Sequence, residues 1–395
     1  MNSPVDSVTQ HGHDRVLRVL HVATMLRSGG VERWLVDLCP AGRAENLSMD
    51  IAVLVETDGL FERLARERGI RVFQCPGLGR PLAFMRSLWR LIRQHGPYDA
   101  VHAHLHAFSG FAVAVARLAG VPARIVHSHN VVGNSSQSLA RRTYVSLARV
   151  LIRTFATAAV APAALPVQDL MGSSWNRDPR WRVMPCGIDL TPFRTPVDSV
   201  SSRAALRIPP GALVLGSVGR LIPEKNSEFL VDILAAVLRR VDNACLLLVG
   251  EGPLRDKLEA KARLGGFGDR IILPGTRSDV PALLRTAMDV FVFPSPPPPR
   301  GNEALPLAVV EAQAAGLPGV FSDGVPPEAI IIPELITQIP ADAGADRWAE
   351  AVVRRAVRGN AGLAAHALSA MEQSDFNCLH NLKKLAKLYR NPQTP

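Results

Sequence analysis

The sequence has 395 residues, of which 47% are apolar and 20% are charged, and its formal net charge is +10. A chain of this length and apolar content can bury two cores, so the composition predicts two domains and excludes a disordered protein. The first 190 residues contain 22 arginines, no lysine and 14 acids. This basic half indicates either an anionic surface or ligand, or simply a solvated arginine-rich face.

Residues 1–15 are predicted to be a disordered tail, because they carry acids and lack the apolar stretch of a secretory leader. The most apolar run, 108–121, is interrupted by Arg117 and is shorter than the roughly 20 residues that span a bilayer. Five cysteines stand far apart, without a Cys-x-x-Cys pair, which favours a reducing compartment. These features predict a cytoplasmic protein.

The first half of the chain alternates apolar strand-like runs with amphipathic stretches, a pattern typical of a parallel sheet flanked by helices. Strands are predicted at 16–23, 51–55, 100–103, 124–127 and 157–160, and helices at 31–39, 82–94 and 139–155. Proline and glycine then interrupt the pattern over 184–196, so we expect the domain boundary there.

A second series follows the boundary. Strands are predicted at 212–218, 245–249, 270–273, 289–293 and 319–321, and helices at 227–239, 253–263 and 377–389. The predicted fold class is therefore α/β, with two Rossmann-like, doubly wound domains, at 16–190 and 195–374, facing across a cleft. Ligands of such sheets bind at the carboxyl ends of the strands.

The stretch 289–323 contains the most informative pattern. A buried strand ends near Pro294, and Pro306 stands where a helix would begin, a position that proline tolerates. The free amides near Ala304 and Leu305 would face an anion in the loop. Glu311 lies inside the helix, about 9 Å along it from Leu305, comparable with the reach from a diphosphate to its ribose. Taken alone, Glu311 also fits an ordinary exposed helix glutamate.

Two further loops follow predicted strands. After Val218 the chain reads Gly219-Arg220-Leu221-Ile222-Pro223-Glu224-Lys225-Asn226, which brings two cations to the carboxyl edge of the second sheet. A diphosphate needs such neutralisation when a bond to it breaks, although surface charges in a loop would look the same. In the first domain, Gly29 and Gly30 permit a ligand to approach the backbone closely.

Together these segments resemble the retaining family 4 glycosyltransferases of the GT-B fold, of the kind that builds bacterial polysaccharides and exopolysaccharides. The resemblance runs from Arg18 to Tyr389. It rests on SGGVERWLVDL, MPCGIDLTPF, GRLIPEKN, LLLVGEGPLRDKLE and, most strongly, EALPLAVVEAQAAGLP. It implies an amino-terminal acceptor domain, completed by a carboxyl-terminal crossing helix at 375–392, and a carboxyl-terminal nucleotide-sugar donor domain. It also implies retention of anomeric configuration without a required metal.

The resemblance assigns roles to individual residues. Arg220 and Lys225 match the pair that binds the donor diphosphate, and Glu311 matches the glutamate that holds the ribose. Glu303 matches the carboxylate that positions the transferred sugar, and His127 resembles the first-domain histidine that reaches it. The remaining residues assigned to donor binding are Gly29, Gly30, Gly219, Gly252, Thr276, Ala304 and Leu305.

Three departures from the family pattern concern this site. Ala304 stands where glycine usually follows the first glutamate, the loop 296–302 is longer and richer in proline, and Cys186 replaces an asparagine. These departures predict some loss of backbone freedom beside the phosphate. Complete loss of activity would leave a non-catalytic partner in a polysaccharide assembly.

The histidines 102, 104, 106, 127 and 129 alternate on two predicted strands, so a metal site is conceivable. A hydrolase of that kind should also place an aspartate nearby, and 100–168 contains no acid. No residue is therefore assigned to a metal. Gly250-Glu251-Gly252-Pro253 lacks the third glycine of a dinucleotide fingerprint, which disfavours a dehydrogenase.

The expected function is transfer of a sugar from a nucleotide-diphosphate donor to a lipid-linked or polysaccharide acceptor, with no cofactor and no nucleic-acid partner. The alternatives are a nucleotide-sugar epimerase and the non-catalytic partner. The helix at 139–155 carries Arg142, Arg149 and Arg153 on one face, which suggests peripheral docking to an anionic membrane surface.

Overall fold

The computed structural model describes residues 15–27, 29–131, 138–298, 300–301, 304–358 and 363–392. The strands, numbered in chain order, are β1 Leu17–Ala23, β2 Leu47–Val53, β3 Val72–Gln74, β4 Ala100–Ala103, β5 Ala123–His127, β6 Ala158–Ala161, β7 Trp181–Val183, β8 Leu213–Val218, β9 Ala244–Val249, β10 Ile271–Gly275, β11 Val290–Phe293, β12 Gly319–Ser322 and β13 Ile336–Ile339.

The α-helices are α1 Gly30–Ala41, α2 Leu60–Glu67, α3 Pro81–His95, α4 Ser109–Leu118, α5 Leu139–Phe155, α6 Ala164–Met171, α7 Thr191–Arg194, α8 Ser199–Ala205, α9 Ser227–Leu238, α10 Arg255–Leu264, α11 Val280–Thr286, α12 Leu307–Ala314, α13 Ala345–Arg358, α14 Leu363–Gln373 and α15 Cys378–Arg390.

The strands form two parallel sheets. The first has the order β3-β2-β1-β4-β5-β6-β7, and the second has the order β10-β9-β8-β11-β12-β13. In each sheet the strand order reverses direction once, next to β1 and next to β8, so each carboxyl edge has a switch point where ligands bind in such folds. The predicted fold class, α/β with two doubly wound sheets, is confirmed.

Apolar runs explain why these segments form central strands. All six residues of β9 are buried, as expected for a parallel strand that is covered by helices on both faces. Val214 of β8 and Phe291 of β11 pack into one core on one side of the second sheet, while Leu246 of β9 and Trp348 of α13 pack into another on the opposite side. The second sheet is thus the middle layer of three.

The last helix belongs to the first sheet's packing. Leu382, Leu385 and Tyr389 of α15 are buried in the same core as Val19 of β1 and Trp34 of α1. The chain leaves the first sheet near Ile188 and returns near Asn377, and these two residues form a parallel β-bridge. The amide of Ile188 donates to the Phe376 carbonyl (2.7 Å), and the amide of Cys378 donates to the Ile188 carbonyl (3.1 Å).

Most predicted elements are present within one to four residues of their expected ends. The sequence analysis missed the short strands β3, β7 and β13 and several helices, including α4 and α13. The domain limits 16–190 and 195–374 stay predictions, and the predicted tail 1–15 lies outside the described residues except for Arg15. All five cysteines are buried and free. In the described ranges, no helix has the length and apolarity needed to cross a membrane.

Candidate functional site

The amino end of α12 approaches the first sheet's helices. Pro306 caps α12, and Val309, Val310 and Ala312 bury its inner face in the core of the second sheet. Ala304 is buried and Leu305 is half-buried just before the helix. The predicted sugar-positioning residue Glu303 lies outside the described residues. The predicted helix start at Pro306 is confirmed, and the helix ends just before Gly316, which has a φ of +67°.

The two predicted phosphate-binding cations follow β8. Gly219 has a φ of +157°, which glycine adopts readily, and it turns the chain out of the strand. Arg220 is exposed and Lys225 is half-buried. The Lys225 ammonium nitrogen lies 5.3 Å from the centre of the Phe293 ring, at the end of β11. A small pocket at this switch point is lined by Ser217, Gly219, Arg220, Lys225, Ser227 and Phe293, among others.

Gly252 and Thr276 lie along the same carboxyl edge. Gly252 follows β9, and a Cβ there would overlap the backbone of Leu221, so glycine is required by close packing between two loops. Thr276 is exposed and comes directly after β10. The structure therefore brings four of the predicted residues, Gly219, Arg220, Gly252 and Thr276, to the ends of three adjacent strands.

The glycine loop, which contains Gly29 and Gly30 where α1 begins, faces this edge. A Cβ on Gly30 would lie 3.3 Å from a methyl carbon of Leu307 in α12. The first unit, built around the first sheet, therefore touches the second unit, built around the second sheet, at this point. The carboxylate of Glu32 folds over Gly29, where a Cβ would collide with it. Burial raises the pKa of Glu32, and the Arg220 charge opposes this rise. A carboxylate of the first unit thus occupies the glycine loop, within electrostatic reach of a predicted phosphate-binding cation.

Glu311 faces α1 across the same contact. Its pKa rises to about 7 because burial disfavours the charged form, with Arg33 opposing the rise and Asp37 adding to it. The Arg33 Nε donates to Asp37 Oδ2 at 2.5 Å. Burial lowers the pKa of Arg33, but the carboxylates of Asp37 and Glu311 outweigh this effect and raise it. The interpretation of Glu311 as an ordinary exposed helix charge is therefore wrong.

His127 ends β5 and is 1% exposed. Its ring stacks on His129 with 3.8 Å between centroids and meets Trp34 edge-on at 5.3 Å. Burial is the main cause that lowers the pKa of His127 well below its usual range, and the neighbouring histidines lower it further. The ring is therefore neutral. Among the described residues, its contacts are with this aromatic cluster, and its role at the sugar stays a prediction.

Sequence reasoning missed three residues of this contact. Glu32, Arg33 and Asp37 of α1 carry the charges that meet Arg220 and Glu311. The spacing of Arg33 and Asp37 by four residues was a readable sign of a pair on one helix face. Their neighbours in the second unit could not be read from the sequence.

Two family models match the chain. The model described as Glycosyltransferase Family 4 matches residues 28–192, and the model described as Glycosyl transferases group 1 matches residues 212–356. The first covers the glycine loop and His127. The second covers the loop after β8 and all of α12.

Relatives from two bacteria match most of the chain. EpsF of Bacillus subtilis (strain 168), whose name assigns it to the glycosyltransferases, is 33% identical over 87% of this chain and 88% of its own length. The UDP-Gal:alpha-D-GlcNAc-diphosphoundecaprenol alpha-1,3-galactosyltransferase of Escherichia coli is 28% identical over 78% of this chain and 79% of its own length.

The crystal structure of Anabaena HepE in complex with UDP has the same fold. It superposes with a TM-score of 0.76 at 20% identity and covers 94% of this chain and 99% of its own. Together with the family models and the level of identity to EpsF, this likeness shows that the chain belongs to the family 4 glycosyltransferases and has the GT-B fold.

Proposed function

We propose that this protein is a retaining glycosyltransferase that moves a sugar from a nucleotide-diphosphate donor to a lipid-linked or polysaccharide acceptor, without a metal. The observation that carries the proposal is the pairing of Arg220 and Lys225, after β8, with Glu311 on α12, at one carboxyl edge facing α1. In a switch-point cleft, two cations and a carboxylate suit a diphosphate and a ribose.

The residues divide the work as follows. The bond between the anomeric carbon and the diphosphate breaks through an oxocarbenium-like transition state, and the diphosphate leaves with the electron pair. The acceptor hydroxyl oxygen bonds to the anomeric carbon on the same face, and its proton passes to the departing phosphate oxygen. Arg220, Lys225 and the amides near Ala304 and Leu305 neutralise the charge that develops on it. Glu311 accepts hydrogen bonds from the ribose hydroxyls. Gly29 and Gly30 admit the phosphates, and the carboxylate of Glu32 must move away when they bind.

Two other residues would complete the site. Glu303 is proposed to position the transferred sugar and His127 to reach it from the first sheet. Because His127 is buried in this structure with Trp34 of α1 against its ring, that contact requires the side chains around it to move. Gly219, Gly252 and Thr276 would form the floor of the nucleotide site at the ends of β8, β9 and β10.

The similar proteins support the choice of substrates. HepE structures contain UDP and, in a second crystal, UDP-glucose. The Escherichia coli relative is named for a UDP-galactose donor and a diphosphoundecaprenol-linked acceptor. We therefore propose a nucleotide-sugar donor for this chain and an acceptor presented at the cytoplasmic face of a membrane.

A thermal-shift panel of UDP-, GDP- and ADP-sugars tests the donor. We expect one of them to raise Tm by several degrees, because a ligand that binds only the folded state stabilises it. Analysis of that donor with and without a glycan acceptor then separates the functions. Glycosylated acceptor supports the proposal, an epimerised donor indicates an epimerase, and no turnover of any donor indicates a non-catalytic partner.

Membrane docking would use a face formed by α3 and α5, which both pack against α4. Leu82 and Trp89 on α3 are 83% and 46% exposed, and Leu147 and Val150 on α5 are 51% and 57% exposed. Exposed arginines of the same two helices are 86, 90, 93, 141 and 142. Apolar side chains among cations suit an anionic lipid surface.

The basic face differs from the one predicted. Arg149 donates to the Asp169 carbonyl (3.0 Å) and Arg153 to the Met171 carbonyl (3.3 Å), so both guanidinium groups are held against α6. Arg142 remains exposed. We therefore propose that Leu147, Val150 and the exposed arginines meet the lipid.

Sedimentation with vesicles checks this face. At low salt we expect more protein to pellet with anionic than with neutral vesicles, and the double variant Leu147→Glu/Val150→Glu to lower the pelleted fraction several-fold. Leu264→Glu is a matched control, because Leu264 is 91% exposed at the end of α10 on the second unit. Equal binding to both vesicle types, or an equal loss in the control, would refute the docking face.

A further inference from the structure

Five histidine rings of the first sheet form one buried cluster. His21 on β1 pairs in register with His102 on β4, and His127 ends the adjacent β5. His104 and His129 follow β4 and β5 and complete the cluster. Neighbouring ring centroids lie 3.8 to 5.4 Å apart. Such a density of imidazole nitrogens at the carboxyl edge exceeds what packing alone requires, because aliphatic side chains would fill the same space without polar atoms.

Hydrogen bonds satisfy only part of the cluster. His104 Nε2 lies 3.0 Å from His21 Nδ1, and His104 Nδ1 lies 2.9 Å from His129 Nε2. Among the described residues, both ring nitrogens of the buried His127 have no hydrogen-bond partner, nor does the buried Trp34 Nε1 beside it. A buried polar atom without a partner is costly and points to a group that is bound there.

We propose that His104, His127 and His129 bind a divalent transition-metal ion of the Zn²⁺ type. One ring nitrogen from each lies within 4.8 Å of the other two, and in the described part of the chain this trio is one of two groups with that property. Three neutral imidazoles, with water in the fourth position, form a known kind of zinc site, so a carboxylate ligand is not required.

The surrounding contacts fit this ligand set. If His104 Nδ1 and His129 Nε2 bind the ion, the opposite nitrogen of each ring is free to donate to an outer partner. Those partners are His21 Nδ1 at 3.0 Å and the Cys186 sulfur, which lies 3.8 Å from His129 Nδ1. Such outer hydrogen bonds fix the tautomer and the orientation of a ligating histidine.

His104 Nδ1 and His129 Nε2 lie 2.9 Å apart in this structure. Tetrahedral bonds of about 2.0–2.1 Å to zinc require roughly 3.3 Å between ligand nitrogens, so the rings need to separate by only a few tenths of an ångström.

Metal binding is tested with the ion alone, in protein without an affinity tag. We expect equilibrium dialysis against Zn²⁺ to leave about one ion per chain, and Co²⁺ to give the visible absorption of a tetrahedral site. His104→Gln and His129→Gln should each lower Zn²⁺ affinity by about 10- to 100-fold or more. His366→Gln and His380→Gln, at exposed positions on α14 and α15, should not change it.

Three outcomes would overturn the proposal: stoichiometry that falls equally in the control variants, octahedral Co²⁺ spectra, or no retained metal in folded protein. His102→Gln tests the competing trio of His21, His102 and His104. Loss of binding in this variant, with retention in His129→Gln, would reject the ligand set. Circular dichroism and melting curves establish that each variant is folded.

A consequence for activity rests on the proposed function. Because His127 is also the residue proposed to reach the sugar, bound Zn²⁺ should inhibit transfer, and a chelator should restore it. The binding measurements use no donor, so their failure leaves the transferase proposal intact. Conversely, an inactive transferase would still bind the ion.

Discussion

Lys225→Ala is expected to lower turnover by about 10- to 1,000-fold while the protein remains folded. The ammonium group lies beside the Phe293 ring, at the switch point of the second sheet, where the diphosphate charge would develop. The Lys225 charge interacts more strongly with the departing diphosphate than with the intact bound donor. Its loss should therefore affect turnover more than KM. Steady-state kinetics with the donor found by thermal shift measure the effect.

Lys257→Ala is the control for this change. Lys257 is 63% exposed and pairs with Glu228 at 2.8 Å, on helices α10 and α9. The Lys257→Ala substitution removes the same charge from the same unit. It therefore tests whether the general electrostatic field of the domain accounts for the loss of turnover. If Lys225→Ala turns over donor as well as Lys257→Ala does, Lys225 is a surface charge and the diphosphate assignment is wrong.

Glu311→Gln is expected to weaken nucleotide binding and raise the donor KM, with a smaller effect on kcat. A carboxylate that grips ribose hydroxyls makes similar contacts in the ground and transition states, so its loss appears mainly in binding. Competition by the free nucleoside diphosphate reports the affinity directly. Glu350→Gln serves as the control, since Glu350 is an exposed helix glutamate on α13. Unchanged nucleotide affinity in Glu311→Gln would contradict the ribose assignment.

The pH dependence of Glu311 gives a second readout. Its pKa of about 7 lies above the ordinary value of 4.5. Between these two pH values the Glu311 carboxyl is protonated in the folded state and ionised in the unfolded state. Stability therefore falls as pH rises through this window, because the unfolded chain binds fewer protons. Glu311→Gln should raise Tm at pH 8 by a few degrees and change it little at pH 4.5. An equal shift at both pH values would show that the carboxyl does not titrate there.

The same titration affects binding in the opposite direction. Only the ionised carboxylate accepts two hydrogen bonds from ribose hydroxyls, so donor affinity should increase from pH 6 to pH 8 in the native protein and stay flat in Glu311→Gln. A nucleotide sugar is the suitable probe, since its diphosphate is esterified at both ends and keeps its charge across this range.

The elements that the sequence predicted well are those with strong local patterns. The run of β9 is apolar throughout and that of β8 is interrupted only by Gly216 and Ser217, while α12 is bounded by Pro306 and Gly316, so local chemistry determined these elements. The strand β13, Ile-Thr-Gln-Ile, was missed because four residues with one buried residue at each end carry little periodicity. It is a strand because β12 lies alongside it, which is tertiary information.

The residues of the candidate site also differ in whether their positions follow from local sequence signals or from tertiary contacts. The positions of Arg220 and Lys225 after a strand could be read from the sequence, because strand ends and glycines are local signals. The meeting of Glu311 with Arg33 could not, since 278 residues separate them along the chain and the contact forms between two units. His21 was missed for a related reason. It is a single histidine inside an apolar strand, and only its register with His102 brings it to the cluster.

The return of the chain to the first sheet has a consequence for synthesis. A domain made first on the ribosome usually folds before the rest of the chain has appeared. Here the core around β1 and α1 includes Leu382, Leu385 and Tyr389, and Tyr389 supplies the hydroxyl that lies 2.7 Å from His102. The first sheet therefore cannot complete its core until those residues emerge, after the whole second sheet. The nascent first unit keeps an open apolar groove throughout translation, and the second unit is the first that can fold to completion.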